Sequence, residues 1–271
     1  MTDRPVTPSL TDVFDRARAE GRAALIGYLP AGFPTPQENV RLITDMVEAG
    51  VDIVEVGLPY SDPLMDGPDI QEAVALALRA GTTTDTVLDT VAEVSAAGGT
   101  AVIMSYWNPI EQYGVEHFAT RLADAGGHGV ITPDLTPEEA GAWIAATTGA
   151  DLDRVFLVAP SSTDARITTV TGVTSGFLYA ASTMGVTGAR TSVSSAAPEL
   201  VARARALTDL PIAVGLGVST GEQARELACY ADGVIVGSAF VRRILQAPDH
   251  EAARAAVRDL AAELARGVRG G

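Results

Sequence analysis

Apolar residues along the chain gather into short runs. After each run, apolar positions recur every three or four residues. The runs fall at residues 23–29, 51–56, 100–107, 129–133, 154–159, 176–181, 211–218 and 233–237. They are rich in Val, Ile, Leu and Ala and are bounded by Gly, Pro, Ser or Asp, as short buried strands are. The stretches between them read as helices over 35–50, 69–80, 84–97, 115–125, 136–146, 164–171, 198–206, 221–231 and 251–267. A further helix at 10–20 precedes the first strand. Local chemistry marks several starts. Ser9 or Thr11 caps the first helix, and Thr35 precedes Pro36 at the first helical position with Glu38 at the capping-box offset. Thr136-Pro-Glu-Glu139 repeats that spacing.

Unbroken alternation of strand and helix implies a parallel sheet, because each helix carries the chain back to start the next strand in the same direction. Eight such units, with no linker or composition break, predict a (β/α)8 TIM barrel over residues 1–271. One extra helix lies at the N-terminus and one after strand two. A doubly wound open sheet is the alternative. Against it, the first βα turn, residues 30–35, lacks Gly-x-Gly-x-x-Gly.

Composition narrows the function classes. Of 271 residues, 47% are hydrophobic, enough for a large core, and aromatics are only 5%. A net charge of −15 disfavours nucleic acid and anionic membranes as partners. It leaves room for a small phosphorylated ligand held by backbone N–H groups. Cys229 is the single cysteine, so no internal disulfide or thiolate metal site is expected. His117, His128 and His250 lack metal-ligand spacing. The N-terminal residues carry no apolar signal segment, and no apolar run approaches about 18 residues. A cytoplasmic protein is the expectation.

In a barrel the chemistry belongs at the carboxyl ends of the strands. There the segment 51–68, VDIVEVGLPYSDPLMDGP, places an acid inside an apolar strand. Alternation puts Glu55 on the face of Val51 and Ile53, opposite Val54 and Val56. An unpartnered buried carboxylate is costly, so Glu55 is a candidate acid/base group, and Asp66 in the following loop is its candidate partner. The bland alternatives are a Glu paired with an Arg and an Asp that caps a turn. Loops after strands six, seven and eight carry glycines at 185, 188, 215, 217 and 237, next to Ser238 and an apolar stretch, 239–245, that suits a small helix. Together they suggest a phosphate site. Tyr28, Leu29, Met104, Tyr106, Leu157 and Phe177 stand at strand ends and suggest a pocket for a flat apolar group. Tyr179 can hydrogen-bond a substrate. Asp134 either caps the 136–146 helix or supports the loop after strand six, and the supporting role is favoured. No Lys stands at a strand end, which disfavours Schiff-base chemistry.

The stretches YLPAGFPT (28–35), EVGLPYSDPLMDGP (55–68), MSYWNPI (104–110), PDLTPEE (133–139), GVTG (185–188), VGLGVS (214–219) and VGS (236–238) occur in this order. With them the chain resembles, end to end, the tryptophan synthase α-subunit family. The resemblance implies a (β/α)8 lyase (EC 4.2.1.20) that cleaves indole-3-glycerol phosphate to indole and glyceraldehyde 3-phosphate in tryptophan biosynthesis. It maps the catalytic pair onto Glu55 and Asp66. Substrate contacts map onto Tyr179, Thr187, Gly188, Gly217, Gly237 and Ser238, with Tyr28 in the pocket wall. It further implies an α2β2 heterotetramer with a β subunit docked around residues 59–62 and 107–110. Pyridoxal phosphate would belong to the β subunit, with no cofactor or metal in this chain. The sequence departs from the family at Thr183, where Arg is usual, and this leaves the holding of the closed strand-six loop open. Two other readings stay alongside: a stand-alone indole-3-glycerol-phosphate lyase, and a non-catalytic regulatory partner of a β subunit. A generic phosphate-binding isomerase leaves the 55–68 string unexplained.

Overall fold

The computed structural model describes residues 8–181, 196–215 and 217–270. Helix α1 (Leu10–Ala19) precedes β1 (Ala24–Pro30) and α2 (Pro36–Glu48). Two helices, α3 (Pro68–Arg79) and α4 (Thr84–Ala96), follow β2 (Ile53–Gly57). Two more, α5 (Trp107–Tyr113) and α6 (Val115–Asp124), follow β3 (Ala101–Met104). β4 (Gly129–Ile131) leads to α7 (Gly141–Gly149), and β5 (Asp153–Val155) with β6 (Leu157–Val158) leads to α8 (Asp164–Thr171). β7 (Leu178–Ala181), α9 (Ala196–Arg205), β8 (Ile212–Gly215) and α10 (Gly221–Ala228) come next. β9 (Gly233–Val236), α11 (Ser238–Leu245) and α12 (His250–Val268) complete the order. Among these helices none is long and apolar enough to cross a membrane.

All paired strands are parallel, in the order β5-β4-β3-β2-β1-β9-β8-β7-β6. The two ends of that order are one strand interrupted at Phe156. Its first half pairs with β4 and its second with β7, so the circuit closes. The Phe156 carbonyl still accepts the Tyr179 N–H, at 3.1 Å. The nine segments therefore fill eight positions of a (β/α)8 barrel, with the expected extra helices α1 and α3–α4.

Alternation along each strand divides the core. Ile26, Ile53, Val102, Ile131, Val155 and Ile235 point into the barrel. Val54 and Val56 belong to the outer layer between sheet and helices. Glu55 thus shares the inner face with Ile53. Val51, expected on that face, precedes the strand and packs outward instead. Helix α1 forms the barrel floor: Leu10, Val13, Phe14 and Ala17 join the inner cluster, and the Phe14 ring lies 5.5 Å from Phe177. Ser9 starts this helix with a complete capping box to Asp12. At the side, the buried Asp45 carboxylate of α2 meets Arg254 at 2.6 Å and Arg258 at 3.0 Å, which ties α12 to the first half of the barrel.

Two local expectations change. The strand read over 100–107 ends at Met104, because Trp107 opens α5. The helix read over 136–146 begins only at Gly141; Thr136-Pro-Glu-Glu139 forms a turn closed by Glu139 N–H to the Thr136 carbonyl at 3.1 Å.

Candidate active site

A pocket opens at the carboxyl ends of the strands and encloses about 660 Å³, including space open to solvent. Tyr28, Glu55, Asp66, Met104, Tyr106, Tyr179, Gly217, Gly237 and Ser238 all line it. The register explains the first pair: Tyr28 of β1 stands beside Glu55 of β2. Two glycines make room for the aromatic rings. A Cβ on Gly57 would lie 2.5 Å from the Tyr28 hydroxyl, and one on Gly215 would overlap the Tyr179 hydroxyl. Gly215 therefore serves the pocket wall, where the sequence suggested a ligand loop.

Glu55 is 2% exposed, and among the described residues its Oε1 has no hydrogen-bond partner. Burial pushes its carboxyl up to about 8 from 4.5, with no cation or donor among the described residues to offset the loss of water. At neutral pH it is mainly the neutral acid. Asp66 is half-buried on the loop between β2 and α3. Burial raises its carboxyl above the ordinary value, and a hydrogen bond from Tyr106 opposes that rise. The Tyr106 Oη lies 3.3 Å from Asp66 Oδ1. Two carboxyls in one pocket are thus held in different environments, one without a partner and one with a donor. Burial also lifts the phenols of Tyr28 and Tyr179 well above their usual value, reinforced for Tyr28 by Asp66 and Glu55 and for Tyr179 by Glu55. Both therefore remain hydroxyl donors.

The other end of the pocket is bounded by a helix start. Gly237 is the N-cap of α11 without a side-chain cap, and Ser238, 6% exposed, is its first residue. An uncapped helix start offers backbone N–H groups and the positive end of the helix dipole. Gly217, at φ +89°, takes a backbone conformation that favours glycine. Thr187, Gly188 and Thr183 lie outside the described residues.

Several residues of the suggested apolar set are elsewhere. Leu29 packs in the outer core, Leu157 beside the inner cluster and Phe177 against the floor. Asp134 does not cap the helix expected over 136–146, and the loop after strand six that it is expected to support lies outside the described residues. Its Oδ1 accepts the Trp107 N–H at 2.9 Å, so it caps α5 from a neighbouring loop. Leu58, Ile70, Ser105, Pro133 and Ile235 also line the pocket. None of them is marked as a pocket residue by the sequence pattern. Ile70 and Ile235 carried ordinary core periodicity, and nothing local marked them as pocket residues.

Fold and pocket together define a (β/α)8-barrel enzyme with two carboxyls of different character above the strand ends. The family model for the tryptophan synthase alpha chain matches residues 14–269. The tryptophan synthase alpha chain of Acidothermus cellulolyticus is 60% identical over 254 residues, 94% of each chain. That of Thermobifida fusca is 59% identical over 256 residues, 93% of this chain and 95% of the relative. A solved structure of Mycobacterium tuberculosis tryptophan synthase superposes with a TM-score of 0.92 at 53% identity, covering 98% of this chain and 100% of that one. The chain belongs to the tryptophan synthase alpha chain family. It is accordingly a lyase of tryptophan biosynthesis.

Proposed function

We propose that this pocket cleaves indole-3-glycerol phosphate to indole and glyceraldehyde 3-phosphate, with Glu55 as acid and base and Asp66 as the anion facing the indole nitrogen. The observation that carries this reading is the unpartnered, buried Glu55 carboxyl, mainly protonated at neutral pH. Its proton goes to C3 of the indole ring. The ring then carries positive charge at nitrogen, which the Asp66 carboxylate stabilises. The carbon–carbon bond to the glycerol side chain breaks, and its electron pair returns to the ring to give indole. The adjacent glycerol hydroxyl loses its proton to the Glu55 carboxylate as the aldehyde forms, which restores the acid. No proton is gained or lost over the cycle.

The substrate phosphate sits at the start of α11 with Gly217, Gly237 and Ser238, and on the same reading with Thr187 and Gly188. The indole ring lies among Tyr28, Met104, Tyr106 and Tyr179. The chain needs no metal or cofactor of its own for these steps. It works in the cytoplasm with a β subunit as an α2β2 assembly, docking through residues 59–62 and the start of α5. Supporting this, Tyr60 and Asn108 join the two segments by a 3.1 Å hydrogen bond, and Leu64 beside them is 69% exposed. Pyridoxal phosphate belongs to that subunit. All 19 basic residues of this chain are arginine, so no lysine is available to bind it covalently.

The test is aldehyde release from indole-3-glycerol phosphate. Glu55→Gln is expected to lower kcat by about 10²–10⁴-fold, as loss of a general acid/base does. Asp66→Asn is expected to lower it by about 10²–10³-fold. Wild-type rates from either variant would reject the assignment.

A further inference from the structure

By sequence pattern Tyr106 belongs to the apolar wall of the pocket. Its hydroxyl has a more specific place. The N–H groups of Leu64 and Met65 donate to it at 3.1 and 2.9 Å. A phenolic oxygen accepts through its lone pairs and donates a single proton. Two backbone donors occupy its accepting side. The proton is left to point at the remaining partner among the described residues, Asp66 Oδ1 at 3.3 Å. We propose that Tyr106 is a positioning residue for Asp66: one hydroxyl pins the loop backbone just before Asp66 and aims its own proton at the Asp66 carboxylate.

The root of the ring is equally fixed. Tyr106 is the N-cap of α5, and the next N–H is held by Asp134 at 2.9 Å. Ser105 Oγ donates to the Tyr106 carbonyl at 2.7 Å, and the Tyr60 ring packs 5.7 Å away. The chain from β3 thus holds the functional loop from β2. A proton committed in this direction favours the charged form of Asp66 over the neutral acid. Other groups around Asp66 act differently. Tyr28 from β1 and Glu55 from β2 share the pocket. Gln71 on α3 donates to the Asp66 carbonyl at 2.7 Å, and Asp69 on α3 is occupied by Arg242 of α11 at 2.6 Å. Among the described residues, Tyr106 is the side chain bonded to the Asp66 carboxylate.

This inference rests on the reading of Asp66 as the anion that faces the indole nitrogen. Tyr106→Phe keeps the ring and removes the hydroxyl. The expected result is a fall in kcat of about tenfold or more, the weight of one hydrogen bond to a charged group, with a smaller change in KM. The acid limb of the pH profile moves to higher pH, while the alkaline limb, set by Glu55, stays in place. Tyr113→Phe removes a 2.7 Å tyrosine–Asp85 bond outside the pocket and leaves both limbs unchanged.

Carboxyl ¹³C titration of Asp66 separates this claim from the reaction itself. In Tyr106→Phe the Asp66 resonance is expected to titrate at higher pH than in the wild type. If the variant does not fold, 3,5-difluorotyrosine at position 106, a stronger donor, is expected to move the resonance and the acid limb to lower pH. An Asp66 carboxyl that titrates at the same pH in wild type and substituted protein overturns the proposal, as does an acid limb that stays in place. A wild type without turnover whose Asp66 resonance still responds to position 106 rejects the reaction and retains the link between the two side chains.

Discussion

Burying Glu55 without a partner makes the folded protein sensitive to pH in an unusual direction. Its carboxyl stands at 4.5 in water and about 8 in the pocket. Between those values the folded state holds a proton that the unfolded state has lost, so stability falls as pH rises. The slope is about 1.4 kcal/mol per pH unit from this one group. Glu55→Gln removes it, and the variant is expected to gain melting temperature relative to the wild type between pH 5 and 8; two curves that stay parallel contradict the burial argument. Glu55 was legible in the sequence because a single acid breaks an apolar alternation, and Asp66 because an acid-bearing loop follows it. The hydroxyl of Tyr106 was not legible. Its partners Leu64 and Met65 lie 42 and 41 residues away, and nothing local distinguishes it from an apolar wall. Asp134 escaped for the same reason, since the N–H it caps is 27 residues distant.

At the scale of elements, the strands and most helices follow from local pattern, and the exceptions mark where distant contacts decide. α5 has seven residues and no cap of its own, so its start depends on the Asp134 carboxylate from the loop after β4. The capping-box spacing at Thr136 is satisfied by a turn, and α7 is placed instead by Trp143, fully buried against Trp107 and Phe118. Helix α1 was predicted from its pattern and its cap, but its task as the barrel floor needed the structure. Phe14→Ala is expected to cost about 3–5 kcal/mol in denaturant unfolding, because the inner layer would stand over a cavity. A loss under 1 kcal/mol would mean that α1 is not integral to the core. β2 and β8 end in glycine to admit the rings of Tyr28 and Tyr179. Gly57→Ala is expected to cost about 1–3 kcal/mol, the range for overpacking, and to lower kcat/KM by displacing Tyr28. Unchanged kinetics would show that the ring moves without consequence.

At the scale of the molecule, the circuit of parallel strands sets the pocket and the helices hold it shut. The first half of the barrel meets the last helix through Asp45, whose side chain is 2% exposed between Arg254 and Arg258. The two arginines are 36% and 45% exposed, so water screens part of the attraction. Asp45→Asn is expected to cost about 1–3 kcal/mol in stability and leave kcat unchanged. A kinetic defect without loss of stability would place Asp45 in the reaction instead. A net charge of −15 does not conflict with the proposed phosphorylated substrate, because a helix start and glycine backbone line the pocket and such groups can hold an anion locally. The barrel was legible from eight repeats of one unit. The interruption at Phe156 was not, since pairing with β4 on one side and β7 on the other decides it.

In the proposed reaction a neutral Glu55 acts first, and the pH dependence of aldehyde release from indole-3-glycerol phosphate reports its proton. Wild-type turnover is expected to fall above a pH of about 8 as Glu55 loses its proton, and Glu55→Gln is expected to keep turnover about 10²–10⁴-fold lower, without that fall, while still binding the substrate. Wild-type turnover that stays level through pH 9, or a Glu55→Gln variant with wild-type turnover, would rule out Glu55 as the acid.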